Sequence, residues 1–257
     1  MGQSFSEDLD MMPPEKTIVL IPVFNEEANL APLLQEVGEQ LPGVPVCIIN
    51  DCSKDGTAQK LKAAGCAYLN LPCNLGVGGA MQAGFRYALE QGYDYAIRLD
   101  GDGQHPPAEC AALIERMAKG DVDLVAGSRF LAAGGYTSTM VRQAGIAGLA
   151  AFLSWACRQK ITDPTSGFQM VNRPAMTYFS YCYPLDYPEP EALALLSRQG
   201  YRFAEVPAKF RERQGGKSSI RRWGTVFYMF KVCVALFVDR CRAVDPRFDR
   251  RHMEASA

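Results

Sequence analysis

The N-terminal half of the chain repeats one pattern: a short apolar run ends in a polar or glycine-rich turn, and a segment with helical periodicity leads to the next run. The runs are "TIVLIPV" (17–23), "VPVCIIN" (44–50), "CAYLNL" (66–71), "YDYAIRLD" (93–100) and "DVDLVAGS" (121–128). Asn25 reads as the cap of the first helix, which glutamates open and in which Leu30, Leu33, Leu34, Val37 and Leu41 recur at helical spacing. "SKDGTAQKLKAAG", "GGAMQAGFRYALEQG" and "PPAECAALIERMAKG", the last with prolines in its first turn, supply the other connections. Strands alternating with helices predict an α/β fold with a mostly parallel central sheet and helices on both faces.

In such a sheet, ligands bind outside the carboxyl ends of the strands. The five turns that follow the five runs are "PVFNEE", "NDCSKDGT", "LPCNLGVGG", "DGDGQH" and "SRF", so polar and glycine-rich loops are expected to converge on one edge.

Composition narrows the classes. At 257 residues and 48% hydrophobic, the chain can bury a substantial core. A net charge of −1 gives no support to a general nucleic-acid binder. Nine cysteines form an odd set without metal-type C-x-x-C pairs, and several lie inside apolar runs, which predicts buried thiols and a reducing cytoplasm. Residues 1–15 are polar and acidic, lack the apolar region of a secretion signal, and read as a flexible tail.

The second half has a different texture. "RQAGIAGLAAFLSWACRQ" is apolar and rich in small residues, and "TDPTSGFQMVNRP" reads as irregular. A helical "YPEPEALALLSRQG" and a strand-like "YRFAEVPAKF" lead to a Gly/Ser/Lys loop, "RERQGGKSSI". The division expected is a catalytic domain over 16–220 and a C-terminal helix and tail over 221–257.

Asp100 and Asp102 carry the clearest chemical signal. Residues two apart in extended chain project to the same side, and hard cations such as Mg²⁺ or Mn²⁺ take one or two carboxylates and leave other positions to water and phosphate. Gly101 and Gly103 permit close approach of a ligand, and Gln104 and His105 are placed to add coordination or orient a phosphate. A bare D-G-D is also ordinary turn chemistry. Asp51, at the end of its run, is suited to accept hydrogen bonds from a nucleobase, and a turn leading into a helix would use the same residues. "NLGVGGAMQAG" lacks the third glycine of a dinucleotide fingerprint, since Met81 stands in its place. Arg129, Arg211, Arg213 and Lys217 are candidate cations for a diphosphate, the last three on a glycine-hinged loop suited to close over a ligand.

Taken in order, "IPVFNEEANL", "NDCSKDGT", "NLGVGGAMQAGF", "RLDGDGQHPP", "AGSRF" and "TSGFQ" resemble the inverting family 2 glycosyltransferases of GT-A fold, in particular the polyprenyl-phosphate and polysaccharide-associated members. The resemblance covers roughly residues 17–220. It implies that Pro22, Phe24, Glu26, Asp51, Asp100, Arg129 and Lys217 bind the nucleotide, that Asp100, Asp102 and Gln104 hold a divalent metal, and that Ser166, Gly167 and Gln169 lie on the acceptor side with Asp163. It also implies a nucleoside-diphosphate sugar donor and a lipid-phosphate or cell-envelope glycan acceptor. Two departures stand out: Gln169 replaces the arginine usual in the lipid-phosphate enzymes, and "DYPEPEAL" looks like its counterpart in polysaccharide-associated members. A phosphate acceptor arrives anionic, whereas a sugar hydroxyl needs a base, for which Asp163, Glu189 and Glu191 are the candidates. A sugar nucleotidyltransferase and a non-catalytic nucleotide-binding module are the alternatives; the former lacks its basic glycine-rich loop after the first strand.

The apolar-aromatic stretch 223–238 is 16 residues long and interrupted by Lys231, short of the ~20 needed to span a bilayer. With Trp223, Phe227, Tyr228 and Phe230 and flanking arginines, it suits a membrane interface, a packing surface, or a small membrane-protein partner. The localisation expected is cytoplasmic, peripheral on the inner face of the membrane.

Overall fold

The computed structural model describes residues 16–132, 140–186, 188–211, 234 and 244–251. The strands are β1 (Thr17–Val23), β2 (Val46–Asn50), β3 (Ala67–Asn70), β4 (Tyr95–Arg98), β5 (Leu124–Ser128), β6 (Gln169–Asn172) and β7 (Phe203–Pro207). The helices are α1 (Leu30–Gln40), α2 (Thr57–Ala63), α3 (Gly76–Glu90), α4 (Cys110–Ala118), α5 (Met140–Cys157), α6 (Arg173–Tyr181) and α7 (Pro188–Arg198). All seven strands form one sheet in the order β3-β2-β1-β4-β6-β5-β7.

Alternation along the strands divides the core. Val19 and Ile21 of β1 face one side with Leu30, Leu33 and Val37 of α1 and Leu113, Ile114 and Met117 of α4. Ile18 and Leu20 face the other side with Phe85 of α3, Phe179 of α6 and Leu193 and Leu196 of α7. Each such side chain, fully buried, contributes about 1.5–3 kcal/mol relative to exposure, so both faces of the sheet must be covered. The expected α/β architecture is therefore present.

Strand β6 departs from the expected pattern. It runs antiparallel between β4 and β5, with Gln169 opposite Arg98 on one side and Ala126 on the other. After α5, the chain enters the sheet from its carboxyl edge. The turn before β6, residues 163–168, consequently lies on the same edge as the loops that follow β1, β2, β4 and β5. A stretch that reads as irregular in sequence is thereby placed at the site.

The helix after β1 also differs from expectation. Asn25 is not its cap. It takes φ 57° within the loop, where its side chain accepts from the Lys54 amide at 2.7 Å, and the helix begins after Asn29. Asparagine tolerates this left-handed backbone because its short polar side chain bonds locally.

At the opposite end of the fold, residues 244–251 return to the domain. Phe248 packs on Tyr178 and Tyr181 of α6, and the Arg250 amide donates to the Gln199 carbonyl at 2.9 Å. Arg250 also pairs with Asp123 at 3.3 Å. The seven described cysteines are all free thiols. Among the described residues, no helix is long and apolar enough to cross a membrane. The expectations for residues 1–15, for Arg213 and Lys217 and for the stretch 223–238 lie outside the described residues, Val234 apart.

Candidate active site

The loops after β1 and β2 are bound to each other. The Asn25 amide donates to Ser53 Oγ at 2.9 Å, the Gly56 amide to Glu27 Oε2 at 3.0 Å, and the Glu26 amide to Thr57 Oγ1 at 3.2 Å. Glu26 itself accepts from Asn29 Nδ2 at 2.6 Å. Phe24 remains 43% exposed at this lip, and Pro22 is half-buried within β1. Asp51 is buried beside them. Its Oδ1 accepts from the Leu75 amide at 2.7 Å, so one carboxylate oxygen fixes the turn before α3. In the first turn of α3, Gly78 serves packing: a Cβ there would collide with the backbone of Pro184 and Leu185.

The loop after β4 touches the loop after β1. A Cβ on Gly101 would lie 3.0 Å from the Pro22 carbonyl, so a glycine is required for the two chains to approach. Gly103 has φ +73°, a backbone open to glycine without strain. Asp102 is buried, and its Oδ1 accepts from the Gln104 amide at 3.0 Å. The Gln104 carbonyl accepts from the Arg211 amide at 2.9 Å, which ties this loop to the chain after β7. Arg211 does not turn its charge inward: its guanidinium forks onto Glu36 of α1, with both contacts at 2.7 Å.

His105 closes the underside of this loop, stacked on Phe168 and edge-on to Phe210. Its Nδ1 accepts from the Asp100 amide at 3.1 Å. Burial holds the imidazole below its usual range against the pull of Asp100, in keeping with a neutral ring that accepts a hydrogen bond.

Asp100 is the more open of the two acids, its side chain 30% exposed. It is gripped by Arg98, the last residue of β4, whose Nε and Nη2 both approach Asp100 Oδ1 at 3.1 Å. The same Nη2 donates to Glu189 Oε1 of α7 at 2.8 Å. Burial alone would lower the pKa of Arg98; the carboxylates of Asp100 and Glu189 outweigh it and hold the guanidinium charged. Gly167 makes room for the pair, since a Cβ there would lie 2.8 Å from Arg98 Nη2.

On the neighbouring strand end, Arg129 and Asp163 form a two-pronged pair at 2.7 Å, reinforced by the Arg129 amide at 3.1 Å and by Thr165 Oγ1. Asp163 is buried. Glu205 of β7 orders the start of this turn, accepting from the Thr162 and Asp163 amides at 2.7 and 2.8 Å. Ser166 donates to the Gly127 carbonyl, and Gln169 is buried with its side-chain amide donating to the Ser166 carbonyl at 2.9 Å.

The fold thus brings Pro22, Phe24, Glu26, Asp51, Asp100, Asp102, Gln104, Arg129, Asp163, Ser166, Gly167 and Gln169 to one edge. Of the two glutamates of α7, the one joined to Asp100 through Arg98 is Glu189. Glu191 lies two residues on, in the same first turn of the helix. Sequence reading missed Arg98, Tyr183 and Glu205 as parts of the site. Among the described residues, no three His, Cys, Asp or Glu side chains gather as a metal cage. The two carboxylates of Asp100 and Asp102 fit instead a hard cation that takes one or two protein oxygens and completes its shell with water and phosphate.

Residues 18–179 match glycosyl transferase family 2. The chain is 27% identical to the polyprenol monophosphomannose synthase of Mycolicibacterium smegmatis over 250 residues, 90% of this chain and 92% of the relative. It is 29% identical to the undecaprenyl-phosphate mannosyltransferase of Micrococcus luteus, covering 81% of this chain and 94% of the relative. Among solved structures, glucosyl-3-phosphoglycerate synthase of Mycobacterium tuberculosis in complex with Mn²⁺, uridine diphosphate and phosphoglyceric acid superposes with a TM-score of 0.71 at 19% identity, over 94% of this chain and 84% of that one. The fold is the GT-A fold of such enzymes. The family match decides against a sugar nucleotidyltransferase: the chain belongs to glycosyl transferase family 2 and is a glycosyltransferase.

Proposed function

We propose that the enzyme transfers a sugar, with inversion, from a nucleoside-diphosphate sugar to a polyprenyl phosphate at the cytoplasmic face of a membrane. The observation that carries the reading is the convergence of Asp51, Asp100 and Asp102 on one sheet edge, with the loops bearing them each packed against the end of β1. The acceptor class is supported by the polyprenyl-phosphate relatives, which align over nearly their whole length. Solved structures of the same fold carry Mn²⁺ or Mg²⁺ with uridine diphosphate.

Asp51 would receive the base, with Phe24 and Pro22 bordering the nucleoside and Glu26 holding the turn beneath. Asp100 and Asp102, with Gln104 beside them, would hold Mg²⁺ or Mn²⁺. Bound there, the cation supplies Lewis-acid neutralisation of the departing diphosphate, worth several kcal/mol in the transition state. The diphosphate then leaves without needing a proton. Arg129 and Lys217 add positive charge for the phosphates. Asp163 holds Arg129 rather than serving as a base, because its carboxylate is already engaged by the guanidinium, the Arg129 amide and Thr165. Ser166, Gly167 and Gln169 line the side from which the acceptor attacks the face of the sugar opposite the leaving group. A phosphate acceptor needs no base for that step.

A second reading, a glycan hydroxyl acceptor, is favoured by one feature. Gln169 is neutral and supplies no positive charge for an anionic acceptor, which suits a hydroxyl better than a phosphate. Incubation with UDP-, GDP- and dTDP-sugars, Mn²⁺ and either undecaprenyl phosphate or a cell-envelope glycan, with products identified by mass spectrometry, separates the two. A glycosylated undecaprenyl phosphate from one donor is expected. Turnover of the same donor only with glycan hydroxyls added would move the reading to the second acceptor class.

A further inference from the structure

Strand β4 is apolar and buried at Ala96 and Ile97, and Leu99 after it is buried too, yet its last residue is an arginine that is only 3% exposed. A charge in such a position requires compensation, and two carboxylates provide it. Residues 98 and 100 project to the same side of the extended chain, so the guanidinium lies against Asp100 by construction. It uses Nε and Nη2 on a single oxygen, Oδ1, at 3.1 Å each. The other oxygen, Oδ2, is turned toward Gly167 and lies 3.7 Å from His105 Nε2. Across the pocket, Glu189 receives the same Nη2 at 2.8 Å, and the Tyr183 hydroxyl stands 3.5 Å from Nη1. Tyr183 is buried, and burial pushes its phenol up to about 12, so it stays neutral.

We propose that Arg98 is a positioning residue: it fixes the orientation of Asp100 toward the cation and diphosphate, and ties that carboxylate to the acceptor-side helix α7 through Glu189. The inference rests on the nucleotide-sugar reading and deepens it. Without Arg98, Asp100 and Glu189 would repel each other across the gap that Gly167 leaves open. A lysine would supply the charge but not the planar fork that engages both carboxylates at once. Arg98 touches neither donor nor acceptor in this account and acts only through Asp100 and α7.

Calorimetric titration of wild type, Arg98→Lys and Arg98→Met with UDP, GDP and dTDP, each with Mn²⁺ and again with EDTA, tests this without turnover. Wild type should bind one nucleotide more tightly with Mn²⁺. Both variants should lose about 10- to 100-fold of that Mn²⁺-dependent gain, the usual consequence of removing a group that orients a metal ligand, while binding in EDTA stays unchanged. Arg98→Lys keeps the charge and guards against a Met variant that fails to fold; thermal melting reports which variants are native. Glu189→Gln, which keeps an acceptor oxygen for Nη2, should preserve more of the gain than Glu189→Ala. Native Arg98→Lys with the wild-type Mn²⁺ dependence would overturn the proposal while leaving the donor reading intact. A wild type whose binding ignores Mn²⁺ would overturn the cation reading and this proposal together.

Discussion

Arg129 and Asp163 face each other as a closed fork, with Nε 2.7 Å from Oδ2 and Nη2 2.7 Å from Oδ1, although 34 residues separate them in the chain. The pair joins the end of β5 to the turn before β6. In the proposed function it therefore couples the strand end assigned to the donor to the segment assigned to the acceptor. Both groups give up water to meet, so their value lies in fixed geometry more than in net stability.

Removing one partner leaves a buried charge unmatched. Asp163→Asn is expected to lower the unfolding free energy by about 3–5 kcal/mol, the usual cost of breaking a buried pair. Urea denaturation of the variant measures this. A variant of wild-type stability that has lost transfer activity would return Asp163 to the role of a base.

The proposed function adds donor binding to the turn-fixing bond of Asp51, and two substitutions divide the two roles. Asp51→Ala removes the acceptor of the Leu75 amide and is expected to cost about 1–3 kcal/mol of stability along with donor affinity. Asp51→Asn keeps an acceptor oxygen and should retain most of that stability. It should still weaken donor binding, by roughly 10-fold or more, because a hydrogen bond to a charged group is worth about 1.5–3 kcal/mol. Equal donor affinity in wild type and Asp51→Asn, measured by calorimetry, would leave Asp51 with the turn alone.

Gly167 is held at glycine by the Arg98 guanidinium, since a Cβ would stand 2.8 Å from Nη2 and 3.1 Å from Asp100 Oδ2. Gly167→Ala should destabilise by about 1–3 kcal/mol through overpacking and displace the Asp100 carboxylate. Melting temperature and Mn²⁺-dependent nucleotide binding should fall together. A variant unchanged in both would mean that the pocket yields without consequence.

The C-terminal residues 244–251 are part of the folded domain, because Phe248 is 8% exposed against Tyr178 and Tyr181. Phe248→Ala should cost about 3 kcal/mol in denaturant titration, as large-to-small changes at buried aromatics do. Deletion of residues 221–257 therefore removes more than the 223–238 stretch, and vesicle binding is better tested by substituting Trp223, Phe227 and Phe230 in the full chain. An unaltered unfolding curve for Phe248→Ala would show that the segment contributes nothing to the domain.

Much of this arrangement was legible in the sequence. The five parallel strands before residue 130 announce themselves because each lies in a short, largely apolar run and helical segments separate successive runs, and the order of their loops gives the edge on which the candidate site lies. Strand β6 was hidden because "QMVN" has polar residues at both ends and follows a polar turn, so no apolar run marks it. Helix α6 was missed for a related reason: "RPAMTYFSY" follows the same turn and carries polar residues among its apolar ones. Asn25 misled because its residue type suits a helix cap and a left-handed turn equally well. Arg98 left a signal that can be read: a lone charge in an apolar strand, two residues before an aspartate, must find a partner on its own face. Which glutamate of α7 meets it depends on the packing of that helix, which no local pattern encodes.

Nucleotide binding at the paired aspartates is the central requirement of the proposed function. Calorimetric titration of UDP, GDP and dTDP into wild type and Asp102→Asn, with Mn²⁺ and with EDTA, measures it. The prediction is saturable binding of one nucleotide by wild type, strengthened by Mn²⁺, and loss of the Mn²⁺ effect in a natively folded Asp102→Asn. Binding of that nucleotide by Asp102→Asn with the full Mn²⁺ enhancement, or binding of none of the three by wild type, would contradict it.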